Sequence, residues 1–121
     1  MFEVEVDKTA NLLSIDYGGR IDVEEIQQCG EKIRSLLGDL QPGFRLLTDL
    51  TNLESMDLEC VPHIKRMMDL CNKQGVHTVV RVIPDPHKDI GLNIMSLFHY
   101  DRRVHIVTCK NLAEAKSALV A

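Results

Sequence analysis

With 121 residues, 45% of them hydrophobic, the chain carries enough apolar side chain for one compact domain with a core and little left for a second. Eighteen acidic against fourteen basic residues give a net charge of −4, so no chain-wide basic field draws it to nucleic acid or to an anionic membrane. The start MFEVEVDKTA lacks a positive segment followed by an apolar run, and no stretch of about 18 apolar residues occurs, so the chain reads as soluble and cytoplasmic, a single domain over residues 1–121. Cys29, Cys60, Cys71 and Cys109 form no CxxC pair, and without a sign of secretion they are expected as reduced thiols. An aromatic content of 4% with no Trp leaves no base-stacking platform.

Phe2 to Val6 alternate apolar and polar, and Leu12 to Tyr17 do so more loosely after DKTAN, which predicts an opening hairpin. YGGR reads as a turn. Asp22 with Glu25 has capping-box spacing ahead of Ile26, Cys29, Ile33 and Leu36 on one helical face, and this helix should stop near Gly38. FRLLTDL, Phe44 to Leu50, is apolar enough for a buried strand. A loop, Thr51 to Glu59, then leads into a second helix to Lys73, with Val61, Ile64, Met67, Met68 and Cys71 in register. Pro62 fits only a first turn, so that helix should begin near Asp57 to Glu59, and Gly75 should end it.

HTVVRVI, His77 to Ile83, reads as an interior strand. Asp85 as N-cap and Pro86 at the first helical position predict a third helix to about Tyr100. Arg103 to Thr108 makes a last strand, and Asn111 with Glu114 opens a short final helix. The order β-β-α-β-α-β-α-β-α implies an α/β domain: a mixed, mostly parallel sheet of about five strands with an N-terminal hairpin, and about four helices. Sites in such sheets lie beyond the carboxyl ends of the strands, here TDLTNLESMD, IPDP and TCKN.

The chemistry-bearing groups are sparse. Cys60 and His63 share a helical face with Cys71, but a closed metal site needs about four ligands, and no second pair stands at ligand spacing. Cys60 near a helix start is a candidate low-pKa nucleophile with His63 as base, though side chains three apart on a helix align poorly for that transfer. Asp49, Asp57 and Asp85 could converge at the carboxyl edge, and Arg81, Lys88, Arg102, Arg103 and His105 hint at a basic zone. No P-loop, GxSxG or GxGxxG is present. The residues therefore imply no enzyme, no catalytic residue, no metal and no cofactor.

Gly19-Arg20-Ile21-Asp22 follows the second strand, Asp49-Leu50-Thr51-Asn52-Leu53 closes the third, Met56-Asp57 precedes the second helix, and NLAEAKSAL ends the chain. Across nearly the whole length these segments resemble the STAS domains, the anti-sigma-factor-antagonist (SpoIIAA-like) family. Its members carry G-R-[LI]-D, then D-L-S/T-x-[LV], then D-S-[ST]-G at a helix start. The resemblance implies a bacterial-type protein-interaction module in signal transduction and transcription regulation, with an anti-sigma factor, kinase-like or sensor protein as partner. It places the partner surface on Thr51, Asn52, Ser55, Asp57, Leu58 and Glu59.

In switching members of that family the second hydroxyl of D-S-[ST]-G is phosphorylated. Here Asp57 takes the aspartate, Leu58 the first hydroxyl, Glu59 the acceptor and Cys60 the glycine, so the acceptor is missing. Glu59 would hold one fixed negative charge at a helix N-terminus, favoured there by about 0.3–1 kcal/mol. Thr51 and Ser55 remain as displaced hydroxyls. A sister group resembling lipid-binding CRAL-TRIO domains also carries G-R and an LLxDL strand. It implies the alternative of apolar- or lipid-ligand binding, with Met67, Met68, Met95 and Phe98 lining a groove.

Overall fold

The computed structural model describes residues 1–89, 91, 95–96 and 99–120. The period-two pattern at the start acts as expected: β1 (Phe2–Asp7) pairs antiparallel with β2 (Leu12–Ile21). Val4 opposes Ile15 and Val6 opposes Leu13 on the covered face, while Glu3 opposes Asp16 and Glu5 opposes Ser14 on the other. β3 (Arg45–Met56), β4 (Thr78–Val82) and β5 (His105–Cys109) add in parallel, giving one five-stranded sheet of order β1-β2-β3-β4-β5. The mixed, mostly parallel sheet with an antiparallel first strand is the architecture that the element order implies.

α1 (Val23–Leu36) and α2 (Val61–Gln74) bury Ile26, Cys29, Ile33, Ile64, Met67, Met68 and Cys71 over one face of the sheet, in the main core with Phe44, Leu50 and Val79. α3 (Leu112–Val120) packs on the opposite face against β3, β4 and β5, closing a smaller cluster of Val80, Val82, Cys109 and Ala115. Every residue of β4 is therefore buried, which is why its sequence runs apolar instead of alternating.

The predicted caps form. The Asp22 carboxylate accepts the Glu25 N–H at 2.9 Å. The Asn111 side-chain oxygen accepts the Glu114 N–H at 2.9 Å, and the Glu114 carboxylate returns to the Lys110 N–H at 2.9 Å. Gly75 ends α2 at φ +94°, and a Cβ there would stand 3.2 Å from Pro42 Cβ and 3.3 Å from Pro42 Cα. Gly75→Ala combines left-handed strain with that crowding, so it should lower stability by about 1–2 kcal/mol in a urea titration. An unchanged midpoint would contradict this reading of the C-cap.

Three boundaries differ from the sequence expectation. YGGR is not a turn: Gly18 and Gly19 lie inside β2, and the pairing with β3 shifts register between Asp16 and Gly18 and again between Gly19 and Arg20. Gly19, at φ +67°, marks a bulged strand. Most of the expected loop is strand, because β3 continues to Met56 and pairs with β2 over Gly18 to Ile21. A 3₁₀ turn, Leu58–Cys60, then precedes α2, which starts at Val61 with Pro62 in its first turn.

The expected continuous helix from Pro86 to Tyr100 does not begin at Pro86. Pro86–Lys88 form a single 3₁₀ turn capped by Asp85, whose carboxylate accepts the His87 N–H at 3.0 Å, and Asp89 is extended at φ −78°, ψ 106°. Met95, Ser96 and His99 are helical, and the intervening part of the expected helix lies outside the described residues. Three α-helices of two turns or more are thus described, against the expected four. Among the described residues no helix is long and apolar enough to cross a membrane.

Candidate functional site

The register places the site. Asp16, Asp49, Val82 and Cys109 lie side by side across four parallel strands, and β4 and β5 end at Val82 and Cys109. β2 and β3 run on, pairing Gly18 with Asn52, Gly19 with Leu53, Arg20 with Ser55 and Ile21 with Met56. They form a two-stranded ribbon beyond the carboxyl edge. Each register shift gives β3 one extra residue, so Leu50 and Leu53 both turn inward while Thr51, Asn52, Glu54 and Ser55 are exposed.

At the ribbon's tip the two family-like motifs meet. The Arg20 guanidinium donates to Asp57 from Nε at 3.4 Å and from Nη2 at 3.2 Å and 3.4 Å, joining G-R-I-D to the start of the α2 segment. The Asp57 N–H donates to the Ile21 carbonyl at 3.1 Å, and the Cys60 N–H to the Asp57 carbonyl at 2.9 Å. Residues 57–60 are therefore tied to β2 by backbone and side chain. Held on that frame, Leu58 is 76% exposed, beside exposed Glu59 and Pro62 and half-buried Val61.

The six expected surface residues are spread along this ribbon. Asp57, Leu58 and Glu59 form the tip, and Ser55 lies opposite Arg20. Thr51 and Asn52 lie lower, roughly 20 Å of strand from Asp57 at about 3.3 Å per residue. There the Asp49 carboxylate accepts the Thr51 hydroxyl at 2.5 Å and its N–H at 2.9 Å. Arg20 was the missing member of the expected set; G-R-I-D was visible in sequence, but its contact with Asp57 depends on the ribbon.

The other constellations separate. Asp57 binds Arg20, Asp49 binds Thr51 and Asp85 caps His87, so each aspartate has its own local partner. Asp49 instead faces Asp16 and Glu3 on the sheet face that carries α3, away from α1 and α2, where burial and then the charges of Asp49 and Glu3 raise the Asp16 pKa. Among the described residues no group of three His, Cys, Asp or Glu side chains is placed to hold a metal ion. Of the expected basic zone, Arg81 is buried and donates to Ser96 Oγ at 3.2 Å and Thr108 Oγ1 at 3.0 Å. Arg103 pairs with Asp101 at 3.3 Å, and the Lys88 side chain lies outside the described residues.

Cys60 is no activated nucleophile. Its thiol is buried and points to the Ile21 carbonyl at 3.8 Å, and burial, followed by Asp57 and Asp22, raises its pKa. Burial also pushes Cys29 up to about 11 and Cys71 up to about 12, and it raises Cys109. All four thiols should resist iodoacetamide at mildly alkaline pH in the native protein and react fully in guanidinium; rapid native labelling of Cys60 would contradict this.

A cavity of about 50 Å³ lies between sheet and α2, bordered by Tyr17, Leu50, Met67, Met68, Arg81 and Tyr100. Met67 and Met68 border it and Met95 is buried in the same core, while Phe98 lies outside the described residues.

The sequence matches no protein-family model, and no curated protein matches it significantly. Among solved structures it is similar to an uncharacterized protein of the DUF3478 family with a SpoIIAA-like fold from Shewanella loihica PV-4, at TM-score 0.73 and 15% identity, covering 98% of this chain and 93% of that one. It is similar to the Bacillus cell fate determinant SpoIIAA in its phosphorylated form, at TM-score 0.66 and 16% identity over 98% and 99% of the two chains. A chain in the Pseudomonas aeruginosa complex of the diguanylate cyclase SiaD with its activator SiaC matches at TM-score 0.55 and 16% identity, over 90% and 91%. At these identities the likeness is one of fold: the chain has the SpoIIAA-like α/β fold.

Proposed function

We propose that this chain is a non-catalytic regulatory module of the cytoplasm that binds a protein partner, of anti-sigma-factor, kinase-like or sensor type, through the ribbon tip and the first turn of α2. The observation that carries the reading is Leu58, 76% exposed on a turn held by the Arg20–Asp57 pair. Exposed Glu59 adjoins it, so the complementary surface is an apolar pocket with a basic rim. The fold likeness to SpoIIAA, an anti-sigma factor antagonist, and to the SiaD–SiaC pair supports a protein as the partner.

SpoIIAA exists in unphosphorylated and phosphorylated forms. Position 59 here is already a carboxylate, so the module works without the usual serine switch, its charge fixed on the 3₁₀ turn ahead of α2. The Thr51 hydroxyl, bonded to Asp49, is a poor substitute acceptor. Phosphopeptide mapping of the chain isolated from its host under kinase-active conditions should find no phosphate on Thr51 or Ser55; substantial occupancy at either would overturn the fixed-state part of the proposal.

The second reading, a carrier of an apolar or lipid ligand, draws on the cavity beside Met67 and Met68. Its volume of about 50 Å³ compares with roughly 300–1,000 Å³ for small-molecule sites. A lipid chain would need α2 to move off the sheet, so the protein-binding reading is preferred. Native mass spectrometry should return the bare chain; a co-purified lipid would reverse that preference.

A further inference from the structure

α1 and α2 meet over an open groove of about 510 Å³, with Ile26 and Met67 in its floor and Glu31, Arg34, His63 and Arg66 along its rim. Gly30 leaves a notch midway along it. A glycine inside a helix costs about 0.5–1 kcal/mol relative to alanine. Nothing local requires that cost: Gly30 does not have positive φ, and an added Cβ would meet Met67 Cγ at 3.7 Å and Sδ at 3.8 Å, ordinary contact distances. Neither backbone conformation nor close helix packing calls for glycine, and its consequence is the open notch over Ile26 and Met67.

The rim has a charge of opposite sign to the chain. Against a net −4, the groove presents Arg34 and Arg66 with one carboxylate, Glu31. Neither arginine takes part in the ion pairs found among the described residues. Arg66 instead lies 3.3 Å from the His63 ring nitrogen. The last turn of α1 gives Arg34 a helix-dipole role, but Arg66, in the middle of α2, has none.

We infer that this groove docks a segment of a partner protein in which carboxylates flank an aliphatic or aromatic side chain. That side chain enters the notch at Gly30, and the carboxylates meet Arg34 and Arg66. The apolar floor and open length suit a peptide better than an inorganic anion. The inference goes beyond the ribbon-tip surface and shares with it only His63, in the first turn of α2; Gly30, Arg34 and Arg66 lie outside that surface, so the two fail or stand separately.

The test is a random-peptide display selection on the purified chain, with the enriched peptides titrated into ¹⁵N-labelled protein. Enriched peptides should carry Asp or Glu within one helical turn of Leu, Ile, Phe or Trp, and should shift the Gly30 amide resonance. The double variant Arg34→Glu with Arg66→Glu should weaken their binding about tenfold or more, and Gly30→Leu should weaken it as well. Leu58→Asp should leave it unchanged. Should a charge reversal or Gly30→Leu unfold the chain in circular dichroism, Arg34→Gln with Arg66→Gln and Gly30→Ala replace them with the same expected direction. No enrichment, enrichment without acidic residues, indifference to the arginine changes, or equal Gly30 shifts from sodium phosphate alone would each overturn the inference.

Discussion

Phe44→Ala should lower the stability of this chain by about 3–5 kcal/mol, the usual cost of truncating a fully buried phenylalanine. Phe44 has no exposed surface, lies immediately before β3 and packs in the main core with Leu46 and Val76. Its carbonyl accepts the His77 N–H at 2.8 Å, and Gly43 N–H donates to the Gly75 carbonyl at 2.7 Å. The side chain therefore sits where the entries to β3 and β4 are laced together, and a void there has little freedom to collapse. Domains of this size are stable by about 5–15 kcal/mol, so the variant should be marginal. Urea unfolding followed by far-UV circular dichroism reads the change; a loss under about 1 kcal/mol would mean that this end of the core is not packed as described.

Leu58→Asp has the opposite profile: a large effect on association and almost none on folding. Because the side chain is 76% exposed, the substitution should change stability by no more than about 0.5 kcal/mol. An exposed leucine that seats in a partner's pocket is worth about 2 kcal/mol or more, so affinity should fall roughly 30-fold. Glu59→Lys should act in the same direction by meeting the partner's basic rim with like charge. Lys8→Glu, on the hairpin connection at the far end of β1, should leave affinity intact. The measurement is surface plasmon resonance against the captured partner alongside a thermal melt. Equal affinity for Leu58→Asp and the unaltered chain would remove this turn from the interface.

Much of the fold could be read from local chemistry. Asp22, Asn111 and Gly75 announce helix ends through side-chain acceptors and a left-handed backbone, and those signals hold because they are satisfied within a few residues. The second half of β3 was hidden for a physical reason. Its inward residues Leu50, Leu53 and Met56 are three apart, because two bulges each insert a residue and break the period-two alternation. The same bulges disguised Gly18-Gly19 as a turn.

The site was half visible for the same reason. Glu59 and Leu58 stand in sequence where D-S-[ST]-G places its two hydroxyls. Arg20 required knowing that residues 37 positions apart in sequence share one ribbon tip. The Asp49, Asp57 and Asp85 grouping failed because strand register sends Asp49 to the α3 face of the sheet, beside Asp16, while the other two are held by Arg20 and the His87 N–H. The length of the third helix depended on Pro86 as an N1 signal, and the extended Asp89 shows that the signal produced one 3₁₀ turn only.

The most direct test of the central claim is photo-crosslinking in the host cell from p-benzoylphenylalanine placed at position 58, with position 8 as control. A discrete adduct with one protein is expected from position 58, lost when Glu59→Lys is added, and none from position 8. No adduct from position 58, or the same adduct from both positions, would contradict a partner surface at the ribbon tip.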